Sequence, residues 1–272
     1  QQYGLLPWQD LFTPAINLAQ SGFVVSKRLH TLAQNFAKRP HAKTANAPLL
    51  AYLSDSQGQI KPVGSMLKNQ AYAHTLQLIA KKGKEAFYQG DIAKAIVDAV
   101  QNAPRQEGTL SLDDLQHYQA IKRQSLCHTV KPYTLCGAPP PASGPLAVMQ
   151  QVALLQALPS AQGLASDSPA FYHRFSETSK IAFADRNAYI ADPAFAPFKP
   201  QKLLNENYIN ERAGHIPLLQ AGPKAKAGQL AYYQSAKSPE LPSTSHLSIV
   251  DKQGNIVSMT SSIETAFGSG LF

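Results

Sequence analysis

The sequence predicts an α+β fold, with helices in the first two thirds of the chain and paired strands near its end. One observation is the helical spacing of apolar residues in the earlier segments, as in residues 67–82. A second is the composition of residues 217–243, where Gly, Ala, Lys, Ser and Pro dominate without any period, as in a long loop. The third is the alternation of apolar and polar residues after Thr244, which is typical of strands.

Composition and charge exclude several classes of protein. The 272 residues are 44% hydrophobic with a formal net charge of +8, which suits a folded globular chain rather than a disordered, collagenous or coiled-coil one. No apolar run reaches roughly 18 residues, so we expect no membrane span. The basic residues are scattered rather than interleaved with aromatic residues in a patch, so we expect no nucleic-acid binding.

Caps and stops predict the first two helices. Thr13 is expected to cap a helix that runs through Gln20, with Gly22 as its C-terminal stop, and Ser26 is expected to cap the next helix, which runs to about Phe36. Residues 38–64 are rich in Pro and Gly and predict a loop.

The following segments continue the helical pattern. The stripe over residues 67–82 predicts a helix that ends at Gly83, and residues 91–100 predict another. Ser111 and Asp114 form the spacing of a capping box at the start of a further helix.

Cys127 and Cys136 are predicted to face each other in a hairpin over residues 124–138. If the chain turns between Lys131 and Pro132, the two residues are directly opposite, where Cβ atoms lie about 4.5–5.5 Å apart and a disulfide is sterically possible. A disulfide would indicate an oxidising compartment, and two buried thiols are the alternative; the sequence leaves both open. The cysteines fit no zinc-ligand spacing, so we expect no metal site.

Two longer helices are predicted after this hairpin. A proline-rich turn over residues 137–145 leads into a helix over residues 146–158, with Ser143 as its expected cap. A Ser/Gly turn at a helix N-terminus can bind an anion, although proline dihedral angles alone also account for the turn.

The longest helix is predicted to start at Ser168-Pro169 and to run to about Tyr189. Asp185 and Arg186, near its end, are interpreted as a structural ion pair rather than a catalytic one. The side chains expected on its buried face are Phe171, Phe175, Thr178, Ala182 and Tyr189.

Thr244 lies where the long loop ends and a predicted hairpin begins. Residues 245–250 and 256–260 alternate around residues 251–255, a favourable hairpin turn. A threonine there is ordinarily a β-branched residue with strand propensity. A threonine made N-terminal by cleavage is also a known nucleophile, because its own α-amine can act as the base. His246 faces the same side as Thr244 and is expected either to support the nucleophile or to pack as a core histidine.

Residues 244–268 closely resemble the segment that opens the small subunit of γ-glutamyltranspeptidases. The resemblance includes the Thr-Ser-His start, the Asp-Lys-Gln-Gly-Asn-Ile-Val turn and the closing Phe-Gly. Residues 6–15, 137–144 and 184–193 resemble large-subunit segments of the same family, in the same order. The resemblance therefore covers essentially the whole chain.

The resemblance implies an N-terminal-nucleophile hydrolase with a four-layer αββα sandwich, to which this chain contributes a helix-rich region and the first small-subunit strands. Residues 1–243 would form the C-terminal part of the large subunit, with residues 217–243 as the loop before the processing site. Residues 244–272 would form the N-terminal part of the small subunit. The family's precursor cleaves itself at the bond that matches Ser243–Thr244, which yields a heterodimer of the two subunits.

The implied reaction is γ-glutamyl transfer without a cofactor. The freed Thr244 would attack a small γ-glutamyl amide such as glutathione, form a γ-glutamyl ester, and pass the acyl group to water or an amino acid. The family's export implies a periplasmic or secreted location, although these residues show no signal peptide.

Two positions depart from the commonest family pattern. Ser262 stands where the family usually has a second threonine bonded to the nucleophile, and the hydroxyl is retained. Glu264 stands where an asparagine usually holds the substrate's α-amino group; a carboxylate suits an ammonium but puts strict γ-glutamyl specificity in question. The alternative for Glu264 is an edge-strand charge that discourages sheet pairing.

Two other functions therefore stay open: a related acylase or poly-γ-glutamate depolymerase on the same scaffold, and a family member that never processes and serves as a binding or structural protein. The resemblance places the family's carboxylate-binding arginine before this chain and its oxyanion-hole residues after it. We therefore expect a fragment that is inactive alone, with the Ser243–Thr244 bond intact.

Overall fold

The computed structural model describes residues 4–40, 42–44, 46–104, 106–159, 164–196, 198–230, 244–263 and 266–269. In chain order, its α-helices are α1 (Thr13–Ser21), α2 (Lys27–Ala37), α3 (Ala47–Leu53), α4 (Gln70–Lys82), α5 (Lys84–Tyr88), α6 (Asp91–Gln101), α7 (Leu112–Gln116), α8 (Gly144–Ala157), α9 (Pro169–Tyr189) and α10 (Glu206–Gly214). The strands are β1 (Phe23–Val24), β2 (Met66–Leu67), β3 (Leu126–Val130), β4 (Tyr133–Gly137), β5 (Thr244–Val250), β6 (Ile256–Ser262) and β7 (Ala266–Ser269). Short 3₁₀ helices span Trp8–Phe12 and Pro200–Leu204. The predicted α+β class is confirmed.

The chain divides into two compact units. One unit consists of residues 1–120 together with 241–272, and the other consists of residues 121–240. The described strands pair as three antiparallel ladders, β1 with β2, β3 with β4, and β5 with β6. No described helix is long and apolar enough to cross a membrane.

Local capping signals place several helix ends of the first unit where they were predicted. The Ser26 hydroxyl accepts a hydrogen bond from the Leu29 amide at 3.1 Å, which fixes the start of α2. Gly83 adopts a positive φ of 73° and ends α4, a conformation that costs glycine little. Ser111 and Asp114 form the predicted capping box of α7. Thr13, however, is the first residue of α1 and makes no capping hydrogen bond, so that prediction is wrong.

Short elements of the first unit depart from the prediction. The predicted loop over residues 38–64 contains α3, whose first turn accommodates Pro48 because that position needs no amide hydrogen. Leu67, the first residue of the predicted helix, instead forms a two-residue strand with Met66 that pairs with residues 23–24, so α4 starts only at Gln70. A strand of two residues is too short to show an alternation of apolar and polar residues in the sequence, so periodicity could not predict it.

A hydrophobic cluster holds the first unit around α2. Phe36 of α2 is 1% exposed, and its ring centroid lies 5.2 Å from that of Phe267 in β7. The buried members of the cluster are Val25, Ala33, Phe36, Ala42, Leu53 and Leu67. This packing attaches α2 to the segment that follows β6.

The predicted cysteine hairpin is present in the second unit. Cys127 and Cys136 are paired in the β3–β4 register and form a disulfide. The disulfide alternative of the sequence analysis is therefore the one that the structure supports.

Helices α8, α9 and α10 form the core of the second unit. The Ser168 hydroxyl caps α9 through the Phe171 amide, as predicted. Ser143 is the N-cap residue of α8, as predicted, but its side chain makes no capping hydrogen bond; its hydroxyl instead accepts one from Nε of Arg186 at 2.7 Å. The buried apolar residues pack in two clusters, one of Leu126, Leu146, Met149, Tyr189, Phe198, Leu203, Leu204 and Tyr208 and one of Leu154, Leu158, Ile181, Ile209, Ala213 and Ile216.

The buried face of α9 was only partly predicted. Thr178, Ala182 and Tyr189 are buried as expected, but Phe175 is 47% exposed. The buried stripe also includes Arg174, Glu177 and Asp185. Apolar periodicity does not recognise polar residues as core positions. It therefore placed the buried face of α9 too far toward Phe171 and Phe175.

The predicted Asp185–Arg186 pair is wrong. Asp185 is fully buried and its Oδ1 lies 3.3 Å from Nη2 of Arg212 in α10. Arg186 lies over the Phe183 ring at 5.5 Å and bonds Ser143. Adjacent residues on a helix point about 100° apart, so the two side chains reach different neighbours.

Candidate active site

The β5–β6 hairpin sets the position of Thr244. Seven residue pairs connect the strands, from Val250 opposite Ile256 at the turn to Thr244 opposite Ser262 at the open end. A shift of one residue would move every side chain to the other face. The register therefore decides which hydroxyl stands beside Thr244.

The turn of this hairpin is held by Asp251. Its Oδ1 accepts hydrogen bonds from the amides of Gln253 at 2.9 Å and Asn255 at 2.8 Å, and its Oδ2 accepts one from the Asn255 side chain at 2.8 Å. Gly254 supplies the positive φ of 82° that the turn requires. The hydrogen bonds from Asn255, side chain first and backbone second, lower the pKa of Asp251 below its usual range.

Thr244 and Ser262 form a hydroxyl pair at the open end of the hairpin. The Thr244 hydroxyl donates to Oγ of Ser262 at 3.1 Å, and both residues are exposed. The pair follows from strand register, since directly opposed residues have neighbouring Cβ atoms. A hydroxyl oxygen held in this way has a defined direction.

His246 lies on the same face as Thr244 but contacts other hydroxyls. Its Nδ1 is 2.8 Å from Oγ1 of Thr260, and its Nε2 is 3.1 Å from Oγ of Ser248 and 3.3 Å from Oγ of Ser258. It is exposed rather than a packed core histidine. The imidazole ring thus forms hydrogen bonds to hydroxyl groups on both β5 and β6 and stabilises the pairing of the two strands.

Thr244 opens onto a cleft. The cleft has a volume of about 480 Å³, large enough for a small amide substrate. It is lined by residues of the β5–β6 hairpin, by two residues that follow β6, and by two residues of α2. The described lining residues are Arg28, Leu32, Thr244, Ser245, Ser261, Ser262, Ile263 and Ala266.

Two predicted site residues lie outside the described residues. These are Ser243, on the amino side of the predicted cleavage site, and Glu264, the predicted contact of the α-amino group. Within the described part of the chain, no three His, Cys, Asp or Glu side chains converge as a metal ion would need.

A buried polar cluster, which the sequence did not indicate, holds the segment 226–228. The carboxylate of Asp185 accepts hydrogen bonds from Nε2 of Gln150 at 2.6 Å and from the amide of Gly228 at 2.8 Å. Arg212 donates to the carbonyl of Lys226 at 2.6 Å, and Tyr189 donates to the carbonyl of Gly228. This cluster anchors the last described loop segment that precedes Thr244 along the chain.

The same cluster perturbs the titration of Tyr208. Burial, followed by the nearby negative charge of Asp185, raises the pKa of the phenol well above its usual range. Tyr208 is a buried member of the hydrophobic cluster that contains Leu146 and Met149.

Comparison with known proteins places this geometry in a family. A model described as Gamma-glutamyltranspeptidase matches residues 1–272. The chain belongs to the γ-glutamyltranspeptidase family. The resemblance found in residues 244–268 is thereby confirmed.

Curated relatives include both hydrolases and acylases. The chain is 29% identical to the glutathione hydrolase proenzyme of Escherichia coli (strain K12), over 99% of this chain and 45% of the relative. It is 33% identical to the Acylase ACY 1 proenzyme of Pseudomonas sp. (strain V22), over 98% of this chain and 45% of the relative. The chain thus spans less than half the length of these relatives.

Solved structures of γ-glutamyltranspeptidases and acylases have the same fold. The γ-glutamyltranspeptidase of Pseudomonas nitroreducens superposes with a TM-score of 0.70 at 32% identity, covering 82% of this chain and 64% of that chain. The cephalosporin acylase of Bacillus halodurans superposes with a TM-score of 0.78 at 25% identity, covering 99% of this chain and 47% of that chain. The fold of this chain is accordingly that of the N-terminal-nucleophile hydrolases in this family.

Proposed function

We propose that this chain carries the nucleophile of a self-processing γ-glutamyl transferase and hydrolase, and that the nucleophile is Thr244. The observation that carries the proposal is the position of Thr244. It begins β5, lines a cleft of about 480 Å³ and donates a hydrogen bond to Ser262. Family membership supplies the reaction class.

The proposed reaction has two acyl-transfer steps. Oγ1 of Thr244 attacks the γ-carbonyl carbon of a glutathione-like amide, and the Thr244 α-amine takes the hydroxyl proton. The C–N bond breaks, the amine leaves with that proton, and a γ-glutamyl ester of Thr244 remains. Water or the amine of an amino acid then attacks the ester, and the proton it loses restores the Thr244 hydroxyl. Neither acyl-transfer step requires a cofactor.

Ser262 is proposed as the partner that directs the nucleophile. Because the Thr244 hydroxyl donates to Oγ of Ser262, the lone pairs of Oγ1 point away from Ser262. Glu264 is proposed to bind the α-ammonium group of the substrate through its negative charge. Both roles rest on the resemblance of residues 244–268 to the family segment.

Thr244 becomes N-terminal in this proposal by cleavage of the Ser243–Thr244 bond. Residues 1–243 then belong to the large subunit and residues 244–272 to the small subunit, and the two remain together as a heterodimer. The word proenzyme in the names of the relatives supports processing. The Cys127–Cys136 disulfide supports an exported, periplasmic or secreted protein, because disulfides persist in oxidising compartments.

A second candidate function is an acylase for related amides, poly-γ-glutamate depolymerisation included. Sequence identity does not separate the two activities, at 33% to the Pseudomonas acylase and 34% to glutathione hydrolase 2 of Arabidopsis thaliana. The observation that supports an acylase is the TM-score of 0.78 to the cephalosporin acylase, against 0.70 to the γ-glutamyltranspeptidase of Pseudomonas nitroreducens. Glu264 in place of asparagine is compatible with this alternative. A binding or structural protein that never processes is the third possibility, and the same experiment separates all three.

The experiment combines processing with a donor panel on the full-length protein. We expect two bands on a denaturing gel, with a smaller subunit whose N-terminal residue is Thr244, and faster hydrolysis of γ-glutamyl-4-nitroanilide than of glutaryl-4-nitroanilide. Faster release from the glutaryl donor, which lacks the α-amino group, would favour the acylase. A single band, together with no release of 4-nitroaniline from either donor, would support the binding or structural protein.

Matched variants assign the nucleophile. Thr244→Ala should abolish both processing and release. Thr129→Ala is the control, since Thr129 also faces a hydroxyl across an exposed hairpin, with its Oγ1 3.1 Å from that of Thr134. Full activity of Thr244→Ala would contradict the proposal.

A further inference from the structure

Arg28 lies on the wall of the cleft into which Thr244 opens. It occupies the first turn of α2, whose start is fixed by the capping hydrogen bond between Ser26 and the Leu29 amide. Arg28, Leu32 and Phe36 are four residues apart and therefore share one face of the helix. Arg28 and Leu32 both line the cleft.

The orientation of this face is set by its third member. Phe36 is buried against Phe267, with ring centroids 5.2 Å apart, and so fixes α2 to β7 just beyond the hairpin. Since Phe36 faces this segment, the side chains one and two turns earlier face the open end of the hairpin. That end holds Thr244 and Ser262.

Arg28 brings a positive charge that no described residue neutralises. Its side chain is exposed and makes no ion pair or hydrogen bond with another residue in the part of the chain that the structure describes. The described lining of the cleft contains no Asp or Glu. A guanidinium group presents its donors in a rigid fork that matches a carboxylate.

We propose that Arg28 is a specificity-determining residue that binds a carboxylate of the substrate held at Thr244. The inference rests on the proposed function, in which a small amide occupies the cleft. The carboxylate belongs to the amine that leaves or accepts, as in a peptide with a free C-terminus, because the family resemblance places the arginine for the acyl carboxylate before this chain.

The test uses three donors that differ by one carboxylate at a time. γ-Glutamyl-3-carboxy-4-nitroanilide adds a carboxylate to the leaving amine of γ-glutamyl-4-nitroanilide. 4-Aminobutyryl-4-nitroanilide removes the carboxylate from the acyl group. The full-length protein is compared with its Arg28→Met variant, which keeps the length of the aliphatic stem but loses the charge and the donors.

Arg28→Met should lower kcat/KM for the carboxylated member of the anilide pair roughly 10-fold to 100-fold more than for the member without that carboxylate, the range for a hydrogen bond to a charged group. A selective loss in the anilide pair supports the proposal, whereas a selective loss confined to the acyl pair would overturn it. Arg28→Lys should retain part of the preference. Lys27→Met, which removes a charge from the same turn outside the cleft lining, should leave it unchanged.

A second readout does not depend on turnover. Equilibrium binding of the unreactive products is measured in the same proteins, with 5-amino-2-nitrobenzoate against 4-nitroaniline and glutamate against 4-aminobutyrate. If the proposed function is wrong, the parent protein releases no nitroaniline, but the parent and the Arg28→Met variant can still differ in their affinity for the carboxylated product. Equal effects of Arg28→Met on both members of both pairs, or no effect, would overturn the proposal for Arg28.

Discussion

The hydroxyl of Thr244 lies 3.1 Å from that of Ser262, across the first residue pair at the open end of the β5–β6 hairpin. The distance follows from the register, which the Asp251 turn sets at the opposite end of the strands. The position of Thr244 opposite Ser262 is therefore set by the turn at the far end of the hairpin, across a ladder of seven residue pairs.

Ser262→Ala is expected to lower kcat about 10-fold, the effect of losing roughly 1.4 kcal/mol from one hydrogen bond to the proposed nucleophile. KM should change less, because Ser262 contacts Oγ1 of Thr244 and its proposed role is to direct that oxygen rather than to bind the substrate. Steady-state kinetics of γ-glutamyl-4-nitroanilide hydrolysis by the full-length protein measure both. Ser262→Thr, which keeps the hydroxyl, should retain most of the rate; equal losses in both variants would show that the hydroxyl is not what matters.

Asp251 is expected to stabilise the hairpin turn as a carboxylate. The hydrogen bonds from Asn255 hold its pKa below the ordinary 3.8, so its contribution is present above about pH 3.8 and lost as the pH falls through the folded-state pKa. Asp251→Ala should therefore lower the Tm at pH 7, and the difference should narrow toward pH 3. Thermal unfolding across this range measures it.

The control for this titration is Asp251→Asn, which keeps a side-chain oxygen but cannot ionise. Its Tm difference from the parent should be smaller than that of Asp251→Ala at pH 7. A difference for Asp251→Ala that stays constant down to pH 3 would mean that the charge of the carboxylate contributes nothing.

Local signals were readable in the sequence, whereas partners distant along the chain were not. The Ser26 cap, the Gly83 stop and the Ser111 capping box each depend on residues within four positions, and all three formed. The register of Thr244 with Ser262 was likewise set by a short turn with a recognisable Asp-Gly-Asn composition.

The buried partner of Asp185 could not be predicted in the same way. Arg212 lies 27 positions further on, and the adjacent Arg186 offered a simpler but wrong pairing. Arg28 was also missed, because its place beside Thr244 depends on the packing of Phe36 against Phe267. Such contacts depend on tertiary packing, which composition and periodicity do not report.

The buried Asp185–Arg212 pair is expected to matter far more than an exposed pair of the same type. Asp185→Ala leaves the Arg212 charge uncompensated in the core and should lower the free energy of unfolding by about 3–5 kcal/mol. Asp192→Ala breaks the more exposed pair with Arg123, at 3.4 Å, and should cost under about 1 kcal/mol. Chemical denaturation measures both, and similar losses would contradict the ranking.

The Cys127–Cys136 disulfide is expected to stabilise the second unit. Replacing both residues with serine should lower the stability by about 2–3 kcal/mol, since the short loop is no longer closed in the unfolded chain. A reductant should lower the Tm of the parent but not of the double variant. Thiols that react with maleimide in the unreduced, denatured protein would show that the bond is absent.

The isolated 272-residue chain is expected to keep the Ser243–Thr244 bond intact. Self-cleavage requires Oγ1 of Thr244 to attack the carbonyl carbon of Ser243, with that peptide held in a strained geometry. Strain of about 1–3 kcal/mol persists only where the surrounding structure over-determines it. Every residue of β5 and β6 is exposed, so the hairpin receives little such support.

An uncleaved chain also has no free α-amine at Thr244, and loss of a general base costs roughly 100-fold to 10,000-fold in rate. The isolated chain should therefore show one intact mass of 29.4 kDa and no release of nitroaniline, whereas the full-length protein should process. Intact-mass measurement over days at 37 °C separates the outcomes. A second species that begins at Thr244 would show that these 272 residues are sufficient for cleavage, and that the strain does not need a covering layer.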